Sequence, residues 1–284
     1  MAVFDVGCRL GYQVTKRTTF VFNIEAAQLD RQRVLSENLT ITPNIGIDTY
    51  RMPESANRYV RLTCEPGALQ LAYQARVELD PHTHNPADVA EVPPGRLPLD
   101  TLTHLYPSRY CQADKLQRFA LKIFGAFERG HQRVTAICNW IHDNVDYMSG
   151  STDAMTSAFD TVLQRAGVCR DFAHLAIALC RALGIPARYV SAFANHLSPP
   201  DFHAILEAYL IGPEGGAWYL FDPTRRAATD GIVRIGIGRD AGEIAFATIF
   251  GEVKPGIPEV WIREDGAAPG VPLLTTQAVT IATF

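Results

Sequence analysis

The sequence predicts an α+β protein in which a β-rich first third precedes a unit of helices followed by antiparallel strands. Three observations predict it. An early segment alternates with a period of two, a middle segment repeats with a helical period, and short β-rich runs then return between Gly and Pro turns. At 284 residues the chain is long enough for one large or two smaller cores.

The alternation is clearest in "LQLAYQARVEL". Leu69, Leu71, Tyr73, Ala75, Val77 and Leu79 fall on one face, as in a half-buried strand. "YQVTKRTTFVFNI", "LTITP" and "RYVRLTC" read as further strands, and Pro43-Asn44 and Pro66-Gly67 punctuate them. The spacing is that of a sandwich-like β domain over residues 1–95. From Pro81 to Pro98 the chain carries five prolines and few large apolar residues. This stretch reads as a linker or surface connection into a second domain, 96–284.

Four helices are expected next. The first spans 115–128, with Leu116, Phe119, Ala120, Ile123, Phe124 and Phe127 on one stripe. The second covers about 131–145 and the third about 154–165. The fourth runs from Cys169 to Leu183, stopped by Gly184 and Pro186. "ARYVSAF", "HAILEAYL", "AWYLFDP" and "IVRIGIG" then read as the strands of an antiparallel sheet. "EVWI" and "AVTIATF" are strands whose placement the sequence leaves open.

Composition excludes several function classes. A net charge of −4 gives no electrostatic reason to expect nucleic acid. No apolar run approaches the ~20 residues of a spanning helix. The N-terminus has no basic region and no long apolar run, so it does not read as a secretory signal. The seven residues before Cys8 are too short and too polar for a lipoprotein signal. The expected compartment is the cytoplasm. The six cysteines are widely spaced with no C-x-x-C pair, which points away from zinc and from a disulfide framework.

One of the six is differently placed. In "GVCRDFA", Cys169 follows a glycine turn and opens a helix. Unpaired N–H groups and the helix dipole there favour a thiolate and can hold an oxyanion, and Arg170 adds a positive charge. A thiolate nucleophile needs a base, and His203 opens "HAILEAYL". The imidazole needs an orienting group, and Asp222 ends "WYLFDP". A hairpin through "IGPEGGA" brings the start of one strand beside the end of the other. Cys169, His203 and Asp222 thus fill the roles of a triad.

Bland readings stand beside these. Cys138 and Cys180 are read as core thiols. Asp222 before Pro223 is also a common turn residue. Asp171 is explained by the helix dipole, and His174 is rotated away from Cys169, so it packs or caps a neighbour. His82 and His84 lack the further ligands of a metal site. Glu207 shares the His203 face, where it would meet substrate or solvent.

"GVCRDFAHLAIALCRALGIPARYVSAF", "HAILEAYL" and "WYLFDPT", in that order, resemble the core of the transglutaminase-like superfamily over about Leu105 to Asp240. The preceding β region resembles the N-terminal domain of its bacterial members. The resemblance implies a cysteine proteinase-like fold with thioester chemistry: Cys169 as nucleophile, His203 as general base and acid, Asp222 as orienting residue. Tyr147 stands where the family often has an aromatic residue, as a cleft-lining or oxyanion group. The family commonly has an aromatic two residues after the histidine. Ile205 stands there, which implies a differently lined cleft. The implied activity is hydrolysis of a peptide or isopeptide-type amide. The alternatives are acyl transfer to an amine and a binding protein with a vestigial triad. The implied partner is a peptide or protein substrate; charge and hydropathy give no reason to expect nucleic acid or a membrane, and the chemistry requires no cofactor.

Overall fold

The computed structural model describes residues 1–266 and 277–282. Its first third is built from β1 (Ala2–Val14), β2 (Thr18–Phe22), β3 (Gln32–Thr42), β4 (Ile47–Arg51), β5 (Arg58–Cys64) and β6 (Gly67–Leu79). The connection carries β7 (His82–His84) and β8 (Ala90–Glu91). Then follow α1 (Ala113–Phe124), α2 (His131–Asn144), β9 (Asp146–Tyr147), α3 (Ala158–Gln164), β10 (Ala166–Gly167) and α4 (Cys169–Ala182). The rest is strand: β11 (Ala187–Ala194), β12 (Phe202–Gly212), β13 (Gly215–Phe221), β14 (Ile232–Gly238), β15 (Ala247–Phe250), β16 (Val253–Pro255), β17 (Glu259–Glu264) and β18 (Ala278–Ala282).

The period-two segment behaves as read. Leu69, Leu71, Tyr73, Ala75, Val77 and Leu79 of β6 are all buried. They share a core with Phe4, Val6 and Leu10 of β1, Phe20 and Phe22 of β2, and Val60 and Leu62 of β5. Tyr12, Phe20 and Phe22 form an aromatic cluster with ring centroids 5.1 to 6.0 Å apart. α1 ends at Phe124, short of the expected 128. Gly125 terminates it, which leaves Phe127 off the stripe and half exposed.

Two features were invisible in local pattern. His82–His84 and Ala90–Glu91, expected within the connection, add to the second sheet. That sheet runs β14-β11-β12-β13-β18-β7, with β8 on β12. Conversely, β15, β16 and β17 leave the second half and return to the first. β15 pairs with β2, while β16 and β17 extend the far edge of β1. The sandwich sheets are thus completed by residues roughly 240 positions downstream. The physical reason is edge closure, because an open β1 edge would expose a row of unpaired backbone groups.

The two halves also meet through side-chain amides. β14 is the edge of its sheet. Gln32 donates Nε2 to the Arg234 carbonyl (2.8 Å) and accepts the Arg234 N–H (2.7 Å). Asn57 does the same with Ile237 (2.7 and 2.8 Å). Both amides are buried. They stand in for a neighbouring strand, so no buried backbone group at these positions is left unpaired.

A fragment ending at residue 95 is expected to fold poorly, because β1 and β2 lose their outer partners. Circular dichroism and size exclusion of that fragment against the full chain check this. A monodisperse fragment with native β content and a cooperative melt would contradict it.

Candidate functional site

α4 is placed by its own first turn. Val168 is the cap residue, and the Asp171 carboxylate folds back to accept its N–H (2.9 Å). The same oxygen accepts the Thr152 hydroxyl (2.7 Å). A Cβ on Gly167 would come within 2.7 Å of the Asp171 Cβ, so the glycine of "GVCRDFA" makes room for this cap. Asp171 is fully buried and works at the helix N-terminus, as read from sequence. Arg170 is spent on the same group: its guanidinium contacts Asp171 Oδ1 (3.2 Å) and the Asp153 carbonyl (2.8 Å). It serves the cap and is not a free charge for Cys169.

Cys169 is the first residue of α4. Cys8, Cys64, Cys111, Cys138 and Cys180 are buried, whereas Cys169 keeps partial access to solvent. Burial pushes the Cys111 thiol up to about 12 and the Cys138 thiol well above its ordinary value.

His203 and Asp222 come together through the β12–β13 hairpin. Its turn is only Pro213-Glu214, with Gly212 opposite Gly215 and Leu206 opposite Phe221. Asp222 follows directly and lies diagonally from His203 across the pair, not directly beside it. His203 Nε2 and Asp222 Oδ2 are 3.0 Å apart and both side chains are almost completely buried. The rest of the carboxylate is satisfied locally. Oδ1 accepts the Thr224 N–H and hydroxyl (2.9 and 2.7 Å), and Oδ2 accepts the Ala227 N–H (3.0 Å). Asp222 is therefore the turn residue and the imidazole's partner at once. Burial alone would raise its pKa. The His203 charge and these hydrogen bonds outweigh burial and hold it below the usual range.

His203 shows the converse balance. Burial disfavours its cation, but Asp222 and the neighbouring Cys169 thiol hold its pKa well above the ordinary value. With Nε2 committed to Asp222, Nδ1 is buried without a settled hydrogen-bond partner. Cys169 is the polar side chain beside it.

Tyr147 reaches the same place from β9, which pairs in parallel with β10 and puts Tyr147 beside Gly167. Its hydroxyl meets both the thiol and the N–H of Cys169. Burial and the thiol raise its pKa to about 12, against the pull of that N–H and of Arg226. Arg226 lies over its ring at 3.8 Å. Sequence reading missed Arg226. The signal available was the Arg pair just after the Asp222 turn.

Two further sequence expectations change. Ile205 is fully buried and packs in the core shared with Val190, Leu220 and Val279. The residue in place of the aromatic is therefore a core residue. Glu207 meets neither substrate nor solvent. It is fully buried between Arg188 (2.6 Å) and Arg234 (3.2 Å).

His174 is buried as a packing residue, its Nε2 accepting the Ala241 N–H (3.1 Å) and its ring stacked on Tyr110. His82 turns to Glu214 and His84 to the Tyr219 hydroxyl.

The profile of the transglutaminase-like superfamily matches residues 117–223, and that of the bacterial transglutaminase N-terminal domain matches residues 2–94. The crystal structure of "a Putative Cysteine Protease from Cytophaga hutchinsonii" superposes with a TM-score of 0.92. It is 42% identical and covers 98% of this chain and 97% of that one. An uncharacterized protein of Mycobacterium leprae is 33% identical over 120 residues, 39% of this chain. The match spans 42% of that relative, less than half its length. An uncharacterized protein of Mycobacterium bovis is 27% identical over 241 residues, 75% of each chain.

The raised His203 pKa fixes a pH dependence of stability. Below the unfolded value near 6.5 both states hold the proton and the pair's stabilisation is complete. Above it the unfolded chain releases the proton first, so stability falls by up to about 1.4 kcal/mol per pH unit until the folded group titrates. Urea melts from pH 6 to pH 10 are expected to show this decline in wild type and its loss in His203→Gln. Parallel profiles for the two proteins would refute the assignment.

Proposed function

This chain belongs to the transglutaminase-like superfamily, and from that premise we propose that it is a cysteine-dependent hydrolase of amide bonds in peptides or proteins. The observation that carries the proposal is the grouping of a partly accessible Cys169 at a helix start with a buried His203–Asp222 pair.

In this reading the thiol proton resides on His203 before substrate arrives. Asp222 stabilises that imidazolium and fixes the ring so that Nδ1 serves the sulfur. The Cys169 thiolate attacks the carbonyl carbon, and the carbonyl oxygen takes up the negative charge. In this scheme the α4 N-terminus and the Tyr147 hydroxyl donate to it. Breakdown of the adduct breaks the C–N bond. His203 gives its proton to the leaving amine, and a thioester remains on Cys169. Neutral His203 then removes a proton from water and the new hydroxide adds to the thioester carbonyl; the C–S bond breaks, the acid product departs, and the Cys169 thiolate remains beside the protonated His203.

The same intermediate is open to a primary amine in place of water, which would make the reaction acyl transfer. Hydrolysis is favoured by the likeness to the structure of "a Putative Cysteine Protease from Cytophaga hutchinsonii". The substrate class is a peptide or protein, and the reaction needs no cofactor in this scheme. A cytoplasmic location is part of the same proposal.

Iodoacetamide at neutral pH is expected to label Cys169 ahead of the five buried cysteines, with a rate that falls when His203 is replaced by Ala. A rate no higher than that of an ordinary thiol would sink the enzyme reading and leave the vestigial one. A peptide screen with Cys169→Ala as control, run with and without a primary amine, separates hydrolysis from transfer. Asp222→Asn is expected to lower kcat by about 10²–10⁴.

A further inference from the structure

A second cleft lies apart from Cys169, between the N-terminal sandwich and the sheet that carries His203. Its volume is about 930 Å³, at the upper end of the ~300–1,000 Å³ typical of ligand pockets. Glu207, which anchors its floor, is on β12 four residues beyond His203, a separation of roughly 13 Å along the strand.

The floor is an unbalanced charge cluster. Arg188, Glu207 and Arg234 come from the adjacent strands β11, β12 and β14, and each is at least nine-tenths buried. Glu207 is the carboxylate shared by the two guanidinium groups. Counting the buried groups alone, one positive charge is left over, an arrangement that is costly unless an anion completes it; the carboxylate of Asp100, which also attracts Arg188, is at the exposed mouth. Each guanidinium keeps N–H groups that Glu207 does not engage. Arg188 uses Nε on Glu207 and rests its guanidinium carbon 4.0 Å from the Trp218 ring. Arg234 uses Nη1 on Glu207, and its buried Nε has no hydrogen-bond partner.

His104 lies edge-on to Trp218 at 5.1 Å, and its buried Nδ1 is also unpartnered. Burial first, and then Arg188, Arg181 and Arg239, push its pKa down to about 3. The imidazole thus stays neutral in a positive surrounding and offers a hydrogen bond without adding charge.

The mouth has the opposite character. Asp30, Glu54 and Asp100 are exposed lining residues, and the Arg239–Glu243 pair adds no net charge. A polyanion such as a nucleotide would be repelled there. A positive floor, an aromatic wall and an acidic mouth match a molecule with a carboxylate at one end and an ammonium at the other. Guanidinium groups suit a carboxylate because their fork matches its two oxygens.

We propose that this cleft binds the carboxyl end of a short peptide, with the terminal carboxylate on Arg234 and Arg188 and the amino end toward the acidic mouth. The site is distinct from Cys169 and does not require that Cys169 be catalytic.

The test uses the full chain carrying Cys169→Ala, so that no ligand is consumed. Isothermal titration compares tripeptides bearing a free carboxyl terminus with the same peptides as C-terminal amides. The free acids are expected to bind at least about tenfold more tightly than the amides, a difference of ~1.4 kcal/mol. N-acetylation of the free acids is expected to weaken binding by a smaller factor. Arg234→Lys, checked for native circular dichroism, is expected to remove the preference for the free acid. Trp218→Phe is expected to weaken binding while keeping that preference, should Arg234→Lys fail to fold. Equal binding of acids and amides, no binding of either, or an unchanged preference in a folded Arg234→Lys would each overturn the proposal.

Discussion

The negative charge of Asp222 is held almost out of reach of water, and much of the second half is arranged around that fact. A buried carboxylate is tolerable only when its oxygens are fully engaged. The turn from Asp222 to Ala227 supplies backbone N–H groups and the Thr224 hydroxyl, and His203 supplies the counter-charge. Meeting that demand sets the β12–β13 register and fixes the ring orientation of His203. It also delivers Arg226 onto the Tyr147 ring. A residue that forms a turn and a residue that orients an imidazole are here one and the same, because both tasks need an ionised carboxylate with converging donors.

The cysteines show how burial sorts chemistry. A thiol in an apolar interior loses thiolate character as its surroundings are dried, and Cys111, Cys138 and Cys180 all follow that trend. Cys169 differs through position, since it stands at a helix start with a tyrosine hydroxyl and an imidazole at hand. The cap that secures this helix is elaborate for one turn. It takes Asp171, Thr152, Arg170 and a glycine with no room for a side chain. The position of the Cys169 sulfur is thereby fixed by the turn that carries it.

What the sequence revealed, and what it hid, divides along the range of the interactions. The β6 alternation, the start of α4 and the hairpin that joins His203 to Asp222 are local, and period, capping and turn chemistry report them directly. Glu207 was read as a surface or substrate-facing residue because its two arginine partners lie nineteen and twenty-seven positions away in other strands. Arg170 looked like a charge for Cys169 because nothing local says that Asp171 captures it. Ile205 was read as a change in a cleft from the family's usual aromatic alone, and a strand with two buried faces gives no alternation to show that the position is core. The return of β15 to β17 was hidden for the same reason. Edge pairing between residues some 240 positions apart leaves no periodic trace.

That return has a mechanical consequence. The polypeptide crosses from the sandwich to the second sheet, and β15, β16 and β17 carry it back before β18 rejoins that sheet. Two lobes joined by one crossing could swing apart like a clamshell. Lobes laced by several crossings, with Gln32 and Asn57 buttoned onto β14, resist that swing. The sandwich is then a brace for the sheet that carries His203 as much as a domain in its own right.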